Sequence, residues 1–273
     1  MLSAVFYVFV FLFGIIIGSF LNVCILRIPL KETIVSERSH CMKCGHTLAW
    51  YDLFPLFSYI FLGGKCRYCK AKISPQYPIV EFLNGAFAVI CFMMDGFWPH
   101  EIAAIYSLKL FTYSLTVSVL SAALCSVLIV ISVIDWRTFE IPIGTNITIL
   151  VLGIIRLIGG FIVYGTEMNW IEYVVGFFTV SIPLAIIYYA SKGRAIGGGD
   201  VKLMAVAGLF LGWKLILVAL IAGCLYGSVI HIIRMKVSGE GKQLAMGPYL
   251  SAGIITALWF GKYIIEWYSG FFS

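Results

Sequence analysis

The sequence predicts an all-α polytopic membrane protein with about eight transmembrane helices and one long polar loop between the first and the second. Hydrophobic residues make up 61% of the 273 residues, charged residues make up 12%, and the mean hydropathy is +1.00. A soluble domain carries about twice that share of charge. Since a helix needs roughly 20 apolar residues to cross a bilayer, the repeated apolar runs predict several membrane spans.

Each predicted span is an apolar run, and the runs occupy residues 4–26, 79–97, 102–134, 142–163, 170–190, 201–212, 215–234 and 246–268. The run over 102–134 contains no Pro and no Gly, so we interpret it as one long or tilted helix. The short run over 201–212 counts as a span because Gly212, Trp213 and Lys214 are typical of a turn. The first run lacks a basic leader and a cleavage pattern, so we expect a retained helix.

Lysine and arginine concentrate in the loop over 27–78, whereas the short loops near 98–101 and 164–169 carry none. Because positively charged loops stay in the cytoplasm, we expect this loop to be cytoplasmic and both termini to lie outside. We therefore divide the chain into a first helix over 1–26, a cytoplasmic loop domain over 27–78 and a transmembrane domain over 79–273. The net charge of +6 follows from this topology and does not indicate a nucleic-acid partner.

The loop contains two CxxC pairs, Cys41 with Cys44 and Cys66 with Cys69, separated by 21 residues. This spacing is typical of a tetrahedral zinc site in which each pair forms one knuckle of a ribbon. Two alternatives stay open: a pair of disulfides, which a reducing compartment disfavours, and redox use of one CxxC. A loop of about 50 residues buries little core, so bound Zn²⁺ would supply much of its folding free energy.

Four cysteine ligands saturate a tetrahedral zinc ion, so we expect a structural site with no position for a reacting water. His40 and His46 flank the first pair, and we interpret both as solvated loop residues. The other cysteines lie in apolar spans and are interpreted as small packing residues: Cys24, Cys91, Cys125 and Cys224.

Two aspartates lie at helix ends that the topology places on one membrane face. Asp135 ends the third span and Asp200 opens the sixth, and the two spans between them return the chain to the same side. An ionisable side chain at membrane depth costs at least about 2.5 kcal/mol, which favours a functional role. Two carboxylates within reach of one water can share a proton, one acting as base and the other as acid. The pair therefore predicts hydrolysis of a peptide bond without a catalytic metal.

Three glycines precede Asp200: Gly197, Gly198 and Gly199. Glycine permits positive φ and close approach of another backbone, so we expect an extended substrate strand to lie against this loop. The competing interpretation is that Asp200 only caps the following helix, as aspartate often does. Asp135 has a similar alternative, as an ordinary charge at a helix end paired with Arg137.

The remaining acidic residues are weaker candidates. We expect Glu81, Glu172 and Glu266 to be solvated at the membrane interface, although Glu81 stands at a helix start that a substrate could reach. Asp52 lies in the cysteine loop, and Asp95 lies at the outer end of the second predicted span.

Six blocks of the sequence, in order, form a pattern that covers nearly the whole chain. They are Gly18-Ser-Phe-Leu-Asn22-Val followed by Arg27-Ile-Pro29, the paired CxxC motifs, Ser74-Pro-Gln-Tyr-Pro78-Ile-Val-Glu81, Asp135-Trp-Arg-Thr-Phe-Glu-Ile-Pro142, Gly197-Gly-Gly199-Asp200-Val-Lys202-Leu, and Gly247-Pro-Tyr-Leu-Ser-Ala-Gly253. Together they resemble the type IV prepilin peptidases, the bifunctional leader peptidases and N-methyltransferases of the GxGD aspartic class. One position departs from the pattern, because Ile143 stands where many members carry an acidic or amide residue.

The resemblance implies that Asp135 and Asp200 are the catalytic pair of an aspartic peptidase domain. We take Gly197, Gly198, Gly199 and Lys202, which belong to the same block as Asp200, as the candidate substrate loop. The expected substrates are prepilins and pseudopilins, whose short basic leader would be removed at the cytoplasmic face of the bacterial inner membrane. The resemblance also implies methylation of the new N-terminal amine with S-adenosylmethionine, for which no binding residues stand out. The cysteine loop with structural Zn²⁺ is associated with the two-activity form of the family.

Two other classes of function stay open on the residues alone. A transporter would line a path with the rare charges Asp200, Lys202 and Arg156, and would favour an internal repeat, which the sequence does not show. A non-enzymatic assembly factor would recruit partners through the cysteine loop and would tolerate changes at either aspartate. Substitution of the aspartates therefore separates both classes from a peptidase.

Overall fold

A computed structural model of the chain describes residues 2–34, 39–95, 108–238 and 244–271. Outside the cysteine loop these residues are almost entirely helical, and the loop itself contains short turns and two isolated β-bridges. Contacts group the chain into two compact units, Met1–Ile105 and Tyr106–Ser273. The predicted all-α fold class is confirmed for the described residues.

The first unit contains α1 (Leu2–Leu30), a 3₁₀ turn (Trp50–Asp52), α2 (Phe57–Phe61) and α3 (Gln76–Met94). These elements carry the cysteine loop between two long membrane helices, as the sequence predicts.

Small residues line the contact between α1 and α3. A Cβ atom placed on Gly14 would lie 2.6 Å from the Cα of Gly85, and one on Gly18 would lie 2.7 Å from the Cα of Glu81. A spacing of four between small residues is typical of membrane helix pairs, because it lets two backbones approach closely. Nδ2 of Asn84 donates to the carbonyl oxygen of Gly14 at 2.7 Å, which adds a hydrogen bond between the helices.

The second unit is built from helices that follow one another along the chain: α4 (Leu108–Thr138), α5 (Ile143–Tyr164), α6 (Trp170–Thr179), α7 (Ser181–Ala190), α8 (Gly198–Leu211), α9 (Trp213–Ser238) and α10 (Gly247–Ser269). α8 lies in the middle, in contact with α5, α6, α7, α9 and α10. All its residues from Leu203 to Leu211 are buried. A Cβ on Gly208 would collide with the backbone of Gly176 in α6, so this contact requires glycine.

Six stretches of the described chain are long and apolar enough to cross a membrane: Ser3–Leu30, Gln76–Met94, Phe111–Thr138, Ile143–Glu167, Trp170–Ala190 and Trp213–Lys236. They correspond to six predicted spans, although residues 96–107, where the second span ends and the third begins, lie outside the described ranges. The predicted span over 201–212 is α8, which has only 14 residues. The span over 246–268 is α10, which is long enough but less apolar. The count of eight and the orientation stay predictions.

The predicted span over 170–190 is two helices rather than one. α6 ends at Thr179 and α7 begins at Ser181, with Val180 between them. Pro183 lacks the N–H that would donate to the carbonyl of Thr179, which accounts for the interruption. The two helices still form one apolar stretch of 21 residues.

Arg156, in α5, binds the C-terminal end of α8. Its Nη1 donates to the carbonyl oxygen of Phe210 at 3.0 Å, and its guanidinium carbon lies 4.7 Å from the centre of the Phe210 ring. The last carbonyls of a helix lack partners within it and carry partial negative charge. Arg156 therefore caps the helix that carries Asp200 at its other end. This contact accounts for a membrane-embedded charge without a transport path.

We predict that Arg156→Leu lowers the midpoint of thermal unfolding in detergent, because it removes a charge-assisted hydrogen bond from the end of α8. The expected loss is about 1.5–3 kcal/mol. Arg156→Gln keeps an N–H donor and should lose less. Lys214→Leu is the control, since that ammonium lies over the Trp213 ring at the start of α9. Equal midpoints for Arg156→Leu and the unchanged protein would contradict the capping role.

Candidate active site and metal centre

Asp135 lies near the C-terminal end of α4 in a buried position that another helix completes. The residue is 5% exposed. The backbone N–H of Gly247, the first residue of α10, donates to its Oδ2 at 2.8 Å. Arg137, two residues further along, is exposed. The carboxylate is therefore held inside the unit by the start of α10 and is not an ordinary solvated charge at a helix end.

Asp200 lies in the first turn of α8 and is 9% exposed. Its Oδ2 lies close to Gly197, since a Cβ placed on that glycine would be 3.0 Å away, and the charge of Asp135 acts on it electrostatically. The structure thus brings both aspartates of the predicted pair into one buried part of the second unit. Two interacting carboxyl groups in an apolar setting can hold one proton between them, which is the arrangement that acid–base hydrolysis requires.

The capping interpretation of Asp200 is compatible with such a role. α8 begins at Gly198 with Gly197 as N-cap, so Asp200 is the third helical residue and not the N-cap itself. A carboxylate in the first turn of a helix interacts favourably with the partial positive charge of the unpaired N–H groups there.

None of the three glycines has positive φ, so that part of the expectation was wrong, and close packing explains Gly197 and Gly199. The approach of a substrate strand stays a prediction. Gly197 has φ −74° and ψ 141°, and Gly198 and Gly199 are helical residues of α8. A Cβ on Gly197 would lie 3.0 Å from Oδ2 of Asp200, and one on Gly199 would lie 3.0 Å from the Cβ of Ile141. Larger residues would therefore crowd the carboxyl group and the segment that joins α4 to α5.

The candidate substrate loop surrounds the buried carboxyl group with more accessible residues. Gly197 and Lys202 are exposed, and Gly198 and Gly199 are half-buried. The loop therefore forms an edge of the site, while Asp200 lies inside it.

Sequence reasoning missed the role of Gly247, although this residue belongs to one of the six blocks. A Cβ on Gly247 would lie 2.7 Å from Oδ2 of Asp135, so only glycine allows the hydrogen bond from its N–H at this distance. The sequence feature that could have indicated this role is a Gly-Pro pair at the start of an apolar run, because such a pair is typical of a helix N-terminus with unpaired N–H groups. Nothing in the sequence indicated a role for Ile141, because its contact with Gly199 depends on how α5 packs on α8.

The four predicted metal ligands meet in the cysteine loop. The Sγ atoms of Cys41, Cys44, Cys66 and Cys69 all lie within 4.8 Å of one another, and those of Cys41 and Cys69 are 3.9 Å apart. A tetrahedral zinc ion with Zn–S bonds of about 2.3 Å holds its sulfurs roughly 3.8 Å apart. Backbone N–H groups of Cys44 and Lys43 lower the pKa of the Cys41 thiol, which favours the thiolate that a metal binds.

The two CxxC pairs fold as matching knuckles. In the first, the N–H of Cys41 donates to the carbonyl of His46 at 2.9 Å, and the N–H of Gly45 donates back to the carbonyl of Cys41 at 2.8 Å. The second knuckle repeats these bonds between equivalent residues, from Cys66 to Ala71 and from Lys70 to Cys66. Gly45 and Lys70 both have positive φ, 68° and 59°. This repeated geometry is that of a zinc-ribbon-like loop.

Side chains next to the cysteine cluster make ring contacts and hydrogen bonds between different parts of the loop. His46 is exposed, as expected, but its ring lies against Tyr68 with the ring centres 3.7 Å apart. Asp52 accepts from Nε of Arg67 at 2.6 Å and from the hydroxyl of Tyr68 at 3.0 Å. Burial alone would raise the pKa of Asp52, but the hydrogen bonds from Arg67 and Tyr68 outweigh it and lower the pKa. Asp52 therefore joins the segment between the knuckles to the second knuckle.

Glu81 is buried, so the expectation that it is solvated at the interface was wrong. The residue is 6% exposed, and its Oε2 accepts the backbone N–H of Leu56 at 2.8 Å. Leu56 stands immediately before α2 and has φ 61°. This hydrogen bond thus holds the start of α2 next to the second turn of α3.

A cavity of about 170 Å³ lies along one face of α9 and is lined by Cys224, Gly227, Ser228, His231, Leu244 and Met246. Cys224 is exposed, so the expectation that it packs among helices was wrong. The other three cysteines outside the loop are buried as expected: Cys24, Cys91 and Cys125. Met246 precedes Gly247, so the cavity lies beside the segment that holds Asp135.

The chain matches the profiles of two protein families. Residues 12–94 match the Bacterial Peptidase A24 N-terminal domain, and residues 122–232 match the Type IV leader peptidase family. The second match contains both Asp135 and Asp200. No solved structure matches the chain.

Relatives of similar sequence carry the name prepilin leader peptidase/N-methyltransferase. One from Myxococcus xanthus is 32% identical over 86% of this chain, which spans 65% of that protein. One from Aeromonas salmonicida is 30% identical over 95% of this chain and 92% of its own length. One from Bacillus subtilis is 31% identical over 94% of this chain and 96% of its own length. From both profiles and from the similarities that cover more than nine-tenths of the Aeromonas salmonicida and Bacillus subtilis proteins, we conclude that the chain belongs to the Type IV leader peptidase family.

Proposed function

We propose that the protein is a membrane-embedded aspartic endopeptidase that removes the short basic leader of type IV prepilins and pseudopilins, with Asp135 and Asp200 as the catalytic pair. The observation that carries this proposal is the burial of two carboxyl groups from separate helices of the second unit, with Asp135 oriented by the backbone N–H of Gly247. The names of the relatives support the substrate class. We place the site on the cytoplasmic side of the bacterial inner membrane, from the lysines and arginines of the cysteine loop.

In this mechanism one carboxyl group is ionised and the other is protonated. The ionised group takes a proton from water as the water oxygen attacks the carbonyl carbon of the peptide, and the protonated group donates to the carbonyl oxygen. When the tetrahedral intermediate collapses, the C–N bond breaks and the departing nitrogen takes the proton held by the first group. The second group regains its proton from a hydroxyl of the intermediate, so both groups return to their starting states.

The surrounding residues hold this pair in place. The Gly247 N–H fixes one oxygen of Asp135, and burial among apolar helices strengthens the electrostatic interaction between the two groups. The exposed edge at Gly197 and Lys202 is the proposed contact for an extended segment of the substrate near the cleaved bond.

A second activity, methylation of the new N-terminal amine with S-adenosylmethionine, rests on the names of the relatives. The cavity beside Gly247, at about 170 Å³, is smaller than the roughly 300–1,000 Å³ of small-molecule sites. It does not fit the methyl donor, and we assign none of the described residues to it.

We propose structural Zn²⁺ as the metal of the cysteine loop. Four thiolates at tetrahedral spacing select zinc, and they leave no open position for a reacting water. The ion would fix the loop and take no part in peptide hydrolysis.

We predict that Asp135→Asn and Asp200→Asn each reduce leader removal by about 10²-fold to 10⁴-fold, because an amide can neither accept nor release the required proton. Mass spectrometry of a co-expressed prepilin reads both activities, since methylation adds mass only to the cleaved product. Asp95→Asn, a carboxylate outside the site, should process prepilin normally. Normal processing by either site variant would reject the peptidase mechanism and favour an assembly factor.

Gly247→Ala should lower the rate of leader removal at least about tenfold, because the new methyl group would push against Oδ2 of Asp135. Gly144→Ala is the matched control, since a Cβ there meets no atom within 4 Å at the nearby start of α5. The measurement compares cleavage rates of the two variants at equal amounts of membrane-inserted protein. Equal rates would show that the Gly247 hydrogen bond does not support the site.

Metal analysis of the purified protein should find one zinc per chain, lost when Cys41 and Cys66 are both changed to serine. The loop should then become sensitive to protease, because the ion supplies much of its folding free energy. Cys224→Ser, outside the cluster, should keep full zinc content. Iron in place of zinc, or full zinc content in the double variant, would contradict the assignment.

A further inference from the structure

The segment between the two knuckles exposes large apolar side chains. Among them are Trp50 (78% exposed), Phe54 (54%), Phe57 (44%), Ile60 (69%) and Phe61 (84%), which we call the aromatic patch. Phe57, Ile60 and Phe61 recur at the spacing of one helical face on α2. Several exposed large apolar side chains in one short segment are typical of a surface that another apolar phase covers.

The hydrogen bond from Leu56 to Glu81 sets the depth of this patch. Glu81 is the sixth residue of α3, about 7.5 Å along the axis from the helix start. α3 is one of the stretches that are long and apolar enough to cross a membrane. Since the N–H of Leu56 lies 2.8 Å from Oε2 of Glu81, α2 begins level with the second turn of this membrane helix. Amphipathic elements lie at that depth, roughly 5–10 Å into the boundary between headgroups and acyl chains.

The charge around the patch favours an anionic surface. Residues 39–75 contain five basic residues and one acidic residue, Asp52, which is paired with Arg67. The four lysines of this segment are exposed: Lys43, Lys65, Lys70 and Lys72. Lysines beside exposed aromatic residues are typical of elements that bind anionic lipid headgroups.

We propose that the aromatic patch is a lipid-binding surface, inserted into an anionic membrane leaflet with the lysines of the cysteine loop on the headgroups. The bilayer thus covers apolar side chains that the small loop cannot bury. The metal cluster is held against the membrane surface by the patch and by the Glu81 hydrogen bond, in addition to its covalent links to α1 and α3. This surface goes beyond the proposed peptidase function and does not depend on it.

The test places a fluorescent reporter in the patch of the full-length protein in lipid nanodiscs. Phe61→Trp adds one tryptophan at the most exposed of these aromatic positions, and subtraction of the unchanged protein isolates its signal. Lipids brominated on the acyl chains should quench most of the added fluorescence, whereas iodide in solution should quench little. Met42→Trp is the control, since Met42 is 73% exposed but lies between two ligands of the first knuckle, beside Lys43. Its added fluorescence should be quenched by iodide instead.

Two further variants of the reporter protein distinguish insertion into lipid from burial against protein. Ile60→Asp should reduce quenching by brominated lipid, because it places a charge in the patch. Changing Lys65, Lys70 and Lys72 to glutamine should reduce quenching in anionic nanodiscs and leave it unchanged in neutral ones. Unchanged zinc content in each variant shows that the loop is folded. A reporter that brominated lipid does not quench would overturn the proposal, and would mean that a protein partner or a second copy covers the patch.

Discussion

The second unit depends on keeping two carboxyl groups out of water among apolar helices. Such burial is costly without compensating polar groups, and both carboxyl groups lie next to helix starts, where backbone N–H groups are unpaired. The N–H of Gly247, at the start of α10, donates to Asp135, and Asp200 stands in the first turn of α8, close to Gly197. Both positions favour glycine, because a Cβ on Gly247 or Gly197 would lie 2.7 Å or 3.0 Å from an oxygen of the neighbouring carboxylate. The requirement for glycine in these two sequence blocks therefore follows from the burial of the two aspartates.

The short helix α8 carries Asp200, and its contacts fix this residue relative to the rest of the unit. It has only 14 residues, and Arg156 satisfies a carbonyl at its C-terminus. Gly208 brings it against α6, and Gly199 brings it against Ile141. The position of Asp200 is thus fixed at both ends of the helix that carries it. The same contacts explain why rare charges in these helices need not line a transport path.

Composition and periodicity were sufficient for the all-α membrane class, for most of the spans and for the four-cysteine cluster, because these depend on local pattern. They could not predict contacts between distant segments. The hydrogen bond from Gly247 to Asp135 joins residues 112 positions apart, and the one from Leu56 to Glu81 depends on how the loop folds back on α3. The glycines at 197–199 were expected to allow positive φ and close approach of a substrate, yet none has positive φ, and Gly197 and Gly199 leave space for Asp200 and Ile141, which only packing reveals. The aromatic patch likewise becomes visible only when α2 is placed against a membrane helix.

The most direct test of the shared-proton pair is the initial rate of prepilin leader removal by the purified protein as a function of pH. If Asp135 and Asp200 work with one proton between them, the rate profile is bell-shaped, since activity is lost when both groups are protonated and again when both are ionised. The two limbs belong to the pair and not to either residue alone. A profile with a single limb would contradict the account, because it would mean that one carboxyl group is sufficient for the chemistry.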